Sequence, residues 1–197
     1  MNAVGHRLAV VGILLVPTWA ARAASAQEAR VPELASLLTY DSVRSDLGLG
    51  EGQQSDIKRI LEERAARPEA RREAETKVSD ALQPEQRTRL AEIQSQVIVA
   101  RGALPEAWRA ELGLTEEQKE RLAKAEATNA DAFRTLLESL QRIRFRSEKA
   151  RLDYIESKYR KPAVERLSEI LTPKQRRSFE RLQGKPFPPA ALVATSS

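Results

Sequence analysis

Apolar residues recur at intervals of three and four along most of the chain, with charged residues between them. This spacing is typical of amphipathic α-helices and predicts an all-α protein. Prolines and glycines divide the pattern into segments. In the first part, the predicted elements are a short helix near 33–46, a helix from Glu51 that Pro68 kinks or breaks, and a helix from Pro84 to about Ala100.

The second part of the chain contains a longer uninterrupted pattern. A helix from Glu116 to about Arg160 would extend for about 65 Å at 1.5 Å per residue. We therefore expect an elongated or curved molecule made of helical hairpins, and the sequence leaves open whether it forms a homodimer. The other predicted elements are a short helix from Pro105, a short piece after Pro162 and a last helix from Pro173 to Gln183.

Four segments share a leucine, three intervening residues and a glutamine: Leu49–Gln53, Leu82–Gln86, Leu114–Gln118 and Leu171–Gln175. In the last two, Thr115 and Thr172 precede Gln118 and Gln175 by three residues. This spacing is that of a capping box, which predicts a strong helix start. The cap positions of the first two segments hold Gly50 and Gln83, which are weaker caps. We therefore expect loss of Gln53 to destabilise the protein less than loss of Thr172.

The repeated segments also form a higher-order pair. Residues 46–49 correspond to 111–114, and residues 82–87 correspond to 171–176. The sequence therefore predicts two tandem LTxxQ-type repeat units, at 33–104 and 105–187. A linker at 27–32 precedes them, and a flexible tail at 188–197 follows.

The first 26 residues have the features of an export signal. His6 and Arg7 precede the apolar run Leu8–Val16, which Pro17 ends after nine residues. A spanning helix needs about 20 apolar residues, and Ala24-Ser25-Ala26 supplies a cleavage site. We therefore expect a signal peptide at 1–26 and a periplasmic or secreted protein.

Repeated LTxxQ segments on an exported, cysteine-free helical chain resemble the Spy/CpxP-type LTxxQ superfamily of periplasmic proteins, in a tandem and largely uncharacterised version. The match is best at Leu114–Gln118 and Leu171–Gln175. Members of this superfamily include ATP-independent chaperones and envelope-stress accessory proteins. The resemblance implies an exported binding protein whose partners are unfolded clients or a membrane signalling protein. A structural envelope component is a further alternative.

The residue types left after export argue against an enzyme. The chain has no cysteine, and its only histidine, His6, lies in the signal. General acid–base catalysis by histidine and the usual nucleophile pairs are therefore excluded, as are the ligands that transition metals prefer. We expect no catalytic site, no cofactor and no transition-metal site.

The charge balance does not favour a nucleic-acid partner. Removing Arg7 and Arg22 with the signal lowers the formal charge from +5 to +3. Acidic and basic residues alternate along most of the chain, whereas nucleic-acid binders concentrate their cations on one face. We expect a protein partner.

The predicted long helix carries two apolar lines. Its first apolar residues follow the spacing of a buried face, and Phe145, Leu152 and Tyr159 then recur every seven residues on a rotated line. One interpretation is a helix whose neighbours change along its length. The other is a client- or partner-binding face, for which the candidate residues are Arg142, Phe145, Arg146, Lys149, Leu152 and Tyr159.

Overall fold

The computed structural model describes residues 32–188, and this range is all-α, as the sequence predicts. The predicted signal peptide at 1–26 lies outside the described residues, as do most of the linker and the tail from 189 onward. None of the helices within 32–188 combines the length and the apolar character needed to cross a bilayer.

The first five helices occupy the predicted segments, except that the single helix predicted near 33–46 is divided in two by a turn at 38–40. A 3-10 turn at Pro68–Ala70 separates the helix that ends at Ala66 from the helix that begins at Arg71, so the predicted break at this position is confirmed. Arg67, the residue before Pro68, has φ −135° and ψ 84°. These angles lie outside the helical region, which is disfavoured for a residue that precedes proline. The helices are α1 (Leu34–Leu37), α2 (Asp41–Asp46), α3 (Glu51–Ala66), α4 (Arg71–Ala81) and α5 (Pro84–Ala100).

The remaining helices complete the described chain. A π-helical turn at Glu156–Arg160 joins the helix that ends at Ile155 to the helix that begins at Lys161. Gly113 and Gly184 have φ of 58° and 62° after the helices that end at Leu112 and Leu182, as expected for glycine after a helix. The helices are α6 (Glu106–Leu112), α7 (Glu116–Arg142), α8 (Glu148–Ile155), α9 (Lys161–Ile170) and α10 (Pro173–Leu182).

The prediction of one helix from 116 to about 160 is wrong, because α7 ends at Arg142. Ile143 has extended backbone, with φ −89° and ψ 128°. Ser147 caps the next helix, and its Oγ accepts a hydrogen bond from the amide of Ala150 at 3.1 Å. A serine cap favours a new helix start over continuation of the old helix. With 27 residues, α7 is about 40 Å long, so helix length no longer requires an elongated molecule.

The predicted boundary at Pro162 is also wrong. Instead of a break, the helical path continues from α8 through the π turn into α9, and Pro162 lies in the first turn of α9. Proline cannot bond to the carbonyl four residues before it, and its ring collides with that carbonyl in a regular α-helix. The wider π turn accommodates both effects.

Three clusters of buried apolar side chains form the core, and α5 contributes to all of them. Ile93 and Val97 belong to the first cluster, Val99 to the second and Ala100 to the third. The first cluster is built mainly from α1 to α5, but it also contains Phe187, which follows α10. The last residues of α5 are therefore buried on more than one side.

Candidate partner-binding surface

The four predicted helix starts meet in two pairs through their glutamine side chains. Gln53 Nε2 donates to Gln86 Oε1 at 2.8 Å, and Gln86 Nε2 donates back to Gln53 Oε1 at 3.2 Å. Gln118 and Gln175 make the same reciprocal pair, at 2.8 and 3.1 Å. Each carboxamide thus forms two hydrogen bonds with a carboxamide distant in sequence.

Each glutamine also connects two helix ends. Its oxygen accepts the amide N–H of its own cap residue, and its nitrogen donates to a backbone carbonyl that precedes the partner motif. Gln53, for example, accepts from Gly50 N at 3.2 Å and donates to Ala81 O at 3.0 Å. The corresponding carbonyls for Gln86, Gln118 and Gln175 belong to Leu47, Ile170 and Leu112, at 3.3, 2.9 and 3.1 Å.

These contacts assign a packing role to the LTxxQ segments. The capping boxes are confirmed, because the Thr115 and Thr172 hydroxyls accept the amides of Gln118 and Gln175 at 3.2 and 3.3 Å. The motif leucines Leu49, Leu82, Leu114 and Leu171 are all buried. The sequence analysis expected loss of Gln53 to destabilise the protein less than loss of Thr172, because it considered only the helix cap. The cross-helix hydrogen bonds give Gln53 a second role that this expectation did not include.

Tyr159 is buried in the third core cluster, so its predicted place on the candidate face is wrong. Only 1% of its surface is exposed, and its hydroxyl donates to Arg101 O at 2.6 Å. Its ring lies 5.2 Å from that of Phe133. The seven-residue line is interrupted because the helix ends at Arg142, so Tyr159 does not continue the line from Phe145.

The other candidate residues surround the segment between α7 and α8. We define the α7–α8 surface as residues 142–147 together with Lys149 and Leu152. Ile143 is 39% exposed, and it is the only exposed large hydrophobic side chain within residues 32–188. Phe145 is half-buried, with its ring 5.4 Å from that of Tyr154, and Leu152 is also half-buried.

The α7–α8 surface is strongly basic. Residues 142–151 include five cationic side chains and one carboxylate, that of Glu148. Arg142, Arg144 and Arg146 are exposed. None of these three makes an ion pair in the described part of the chain, whereas Lys149 pairs with Asp153 at 2.5 Å. The same segment therefore carries three available guanidinium groups and the exposed side chain of Ile143.

The backbone of this segment also has free donors. The amide of Ile143 still bonds to Ser139 O at 3.0 Å. The following amides, from 144 to 147, donate no hydrogen bond to any described residue. The sequence pattern indicated the side chains of this surface but not these amides, because it predicted that the segment lies inside a helix.

A cleft of about 390 Å³ lies elsewhere, between the end of α5 and residues 183–188. Two of the three polar side chains that line it, those of Gln96 and Arg160, are already engaged. Gln96 donates to the carbonyls of Gln183 and Lys185 at 2.5 and 2.8 Å and accepts from Phe187 N at 2.8 Å. Arg160 pairs with Glu156. The cleft therefore offers few polar groups to orient a ligand, and the α7–α8 surface is the better candidate.

Neither a protein family, nor a curated protein, nor a solved structure matches this chain. Within residues 32–188, no three potential ligand residues of the His, Cys, Asp or Glu type come together as a metal site would require.

Proposed function

We propose that this protein is an exported binding protein of the cell envelope that holds apolar and acidic protein segments on the α7–α8 surface without nucleotide, in the manner of an ATP-independent chaperone. The repeated LTxxQ segments support the proposal through their resemblance to the Spy/CpxP-type superfamily. The observation that carries it is the exposed Ile143 among three arginines that make no ion pair within residues 32–188.

The chemistry of this surface fits a partly unfolded or acidic partner. Burial of an exposed apolar side chain against a partner is favourable, because it removes apolar surface from water. Guanidinium groups bind carboxylates through two parallel hydrogen bonds, which adds orientation to charge attraction. Because exposed charges are screened by salt, binding should weaken as ionic strength rises.

A second candidate function is a sensory accessory that docks on a membrane signalling protein. The small size of the apolar part favours it, since Ile143 is the one exposed large hydrophobic side chain within the described range. A single exposed side chain with flanking cations fits one short partner segment better than a wide range of clients. The two functions would use the same residues and differ in the number of partners.

Client aggregation tests the first function. Protein produced from the full chain and purified after export is mixed at equal molar ratio with a denatured client, and light scattering is followed. We expect slower aggregation with the natural protein and loss of protection when Arg142, Arg144 and Arg146 are all changed to Glu. The matched control changes Arg72, Arg121 and Arg177 to Glu, because these arginines are also exposed.

One result tests the role of the surface, and a second experiment distinguishes the two functions. Equal loss of protection in both triple variants would contradict a specific role for the α7–α8 surface. The second experiment is crosslinking in intact cells, followed by purification of the protein with its crosslinked partners. A chaperone should be recovered with many unrelated proteins, whereas a sensory accessory should be recovered with one membrane protein.

A further inference from the structure

We propose that the partner segment binds in extended conformation beside residues 143–147 and pairs with part of their backbone as an added β-strand. This inference rests on the proposed function and deepens it, because it names the binding mode and the sequence class of the partner. The occupant is a short peptide segment in which acidic and apolar residues alternate.

The backbone of the segment supports strand pairing. Ile143 and Ser147 both have extended backbone, with φ and ψ of −89° and 128° and of −158° and 161°. The amides from 144 to 147 make no hydrogen bond within residues 32–188. Unpaired backbone amides are a template for a further strand, and several peptide-binding domains bind extended ligands in this way.

The side chains of the segment alternate as a strand requires. Within residues 143–147, Arg144 and Arg146 occupy one parity of the sequence, and Ile143 and Phe145 occupy the other. Successive residues of a strand point to opposite faces. A paired peptide would therefore meet arginines on one face and apolar side chains on the other.

This arrangement selects the partner sequence. Opposite charges facing each other across two strands are favourable, as are aromatic and β-branched pairs. Glutamate or aspartate is expected opposite the arginines, with valine, isoleucine or phenylalanine opposite Ile143 and Phe145. The bend at 146–147 and the start of α8 limit the paired region to a few residues.

A comparison of two substitutions at one position isolates the backbone amide. Arg144→Ala removes the charge and keeps the N–H, whereas Arg144→Pro removes both. Two conditions for proline are met here, because the preceding Ile143 has ψ of 128° and the amide of Arg144 bonds to no described residue. Circular dichroism melts establish that both variants fold.

The probe is an eight-residue peptide of alternating glutamate and valine, with a fluorescent label at its N-terminus, and the readout is anisotropy. We expect Arg144→Pro to bind about tenfold more weakly than Arg144→Ala, the effect of losing one hydrogen bond of about 1.4 kcal/mol. A peptide N-methylated at alternate residues should bind the natural protein more weakly than the unmethylated peptide. This second measurement remains valid if the proline variant does not fold.

The outcomes separate this inference from the proposed function. If client protection depends on the three arginines but Arg144→Pro equals Arg144→Ala and N-methylation has no effect, strand pairing is overturned and the proposed function stands. If neither peptide nor client binds, both are overturned. The inference and the proposed function would also both be overturned if the protein bound anionic lipid vesicles but not the peptide. The same conclusion would follow if the protein formed a dimer and the arginine substitutions dissociated it.

Discussion

Gly102 lies directly against the side chain of Asn129. A Cβ atom on Gly102 would come within 2.5 Å of Asn129 Cβ, and Asn129 Nδ2 donates to Gly102 O at 2.8 Å. Arg166 Nε donates to Asn129 Oδ1 at 2.7 Å, so a fully buried asparagine joins α7, α9 and the turn after α5. This contact requires glycine for two independent reasons, because Gly102 also has φ of 74°.

We expect Gly102→Ala to lower the free energy of unfolding by roughly 2–4 kcal/mol, from the left-handed backbone and the collision with Asn129 together. Gly113→Ala is the matched control. Gly113 has φ of 58°, but no heavy atom lies within 4 Å of the position that a Cβ atom would occupy, so we expect a loss of only about 1 kcal/mol. Urea denaturation measures both, and equal losses would contradict the role of the Asn129 contact.

The glutamine pairs predict a reversal of the order expected from the sequence. Gln53→Ala removes bonds to Ala81 O and Gln86 Oε1, and we expect a loss of roughly 1–3 kcal/mol. Thr172→Ala removes one cap bond and should cost about 1 kcal/mol. A double-mutant cycle of Gln53 and Gln86, each to Ala, should give a coupling energy above about 0.5 kcal/mol. Additive losses would show that the two side chains act independently.

Gln96 is expected to hold residues 183–187 against α5. Its carboxamide bonds to the backbone of three residues in this segment. Gln96→Ala should therefore raise the hydrogen-exchange rate of the Phe187 amide, which donates to Gln96 Oε1. Gln94→Ala, which removes one bond to Pro32 O at 2.7 Å, is the control and should leave that amide unchanged. Unaltered exchange in Gln96→Ala would contradict the assignment.

Asp46 should make stability depend on acid pH. A hydrogen bond from Arg89 at 2.6 Å lowers the pKa of its carboxyl below the usual value, with further attraction from Lys185. A lowered folded-state pKa gives stability that is present above the unfolded pKa of about 3.9 and is lost as pH falls through the folded pKa. We expect Asp46→Asn to be less stable at pH 7 and to match the natural protein in strong acid.

Asp41→Asn serves as the control for this titration. Asp41 also pairs with an arginine, but its side chain is 94% exposed, so solvent screens the interaction. The melting temperature of this variant at pH 7 should therefore stay close to that of the natural protein. If Asp46→Asn is still less stable than the natural protein in strong acid, the pairing of Asp46 with Arg89 is contradicted.

Sequence patterns predicted the helices well where local signals decide the structure. The Thr172 cap, the prolines at helix starts and the glycines after helix ends act within one turn, so the sequence alone locates them. The reciprocal bonds between Gln53 and Gln86 could not be predicted in this way, because they join residues 33 positions apart. Their signal is the presence of the same glutamine in all four segments, which capping alone does not require.

The candidate surface was predicted in part. The basic and apolar composition around Phe145 identified the region, but apolar spacing also suggested that the helix continued to Tyr159. Ser147 is the signal that could have located the break, because serine followed by Glu148 is a favourable helix start. The break separates Phe145 from the buried Tyr159 and frees the amides between the two helices.

The most direct test of the central claim places a photoreactive amino acid at Ile143 and, separately, at the exposed Arg121 on α7. Both proteins are irradiated with a denatured client at equal molar ratio, and the crosslinked products are analysed by mass spectrometry. A partner-binding role for the α7–α8 surface predicts client adducts at position 143, with acidic and apolar residues at the attachment sites, and few adducts at position 121. Equal yields at the two positions, or none at 143, would contradict that role.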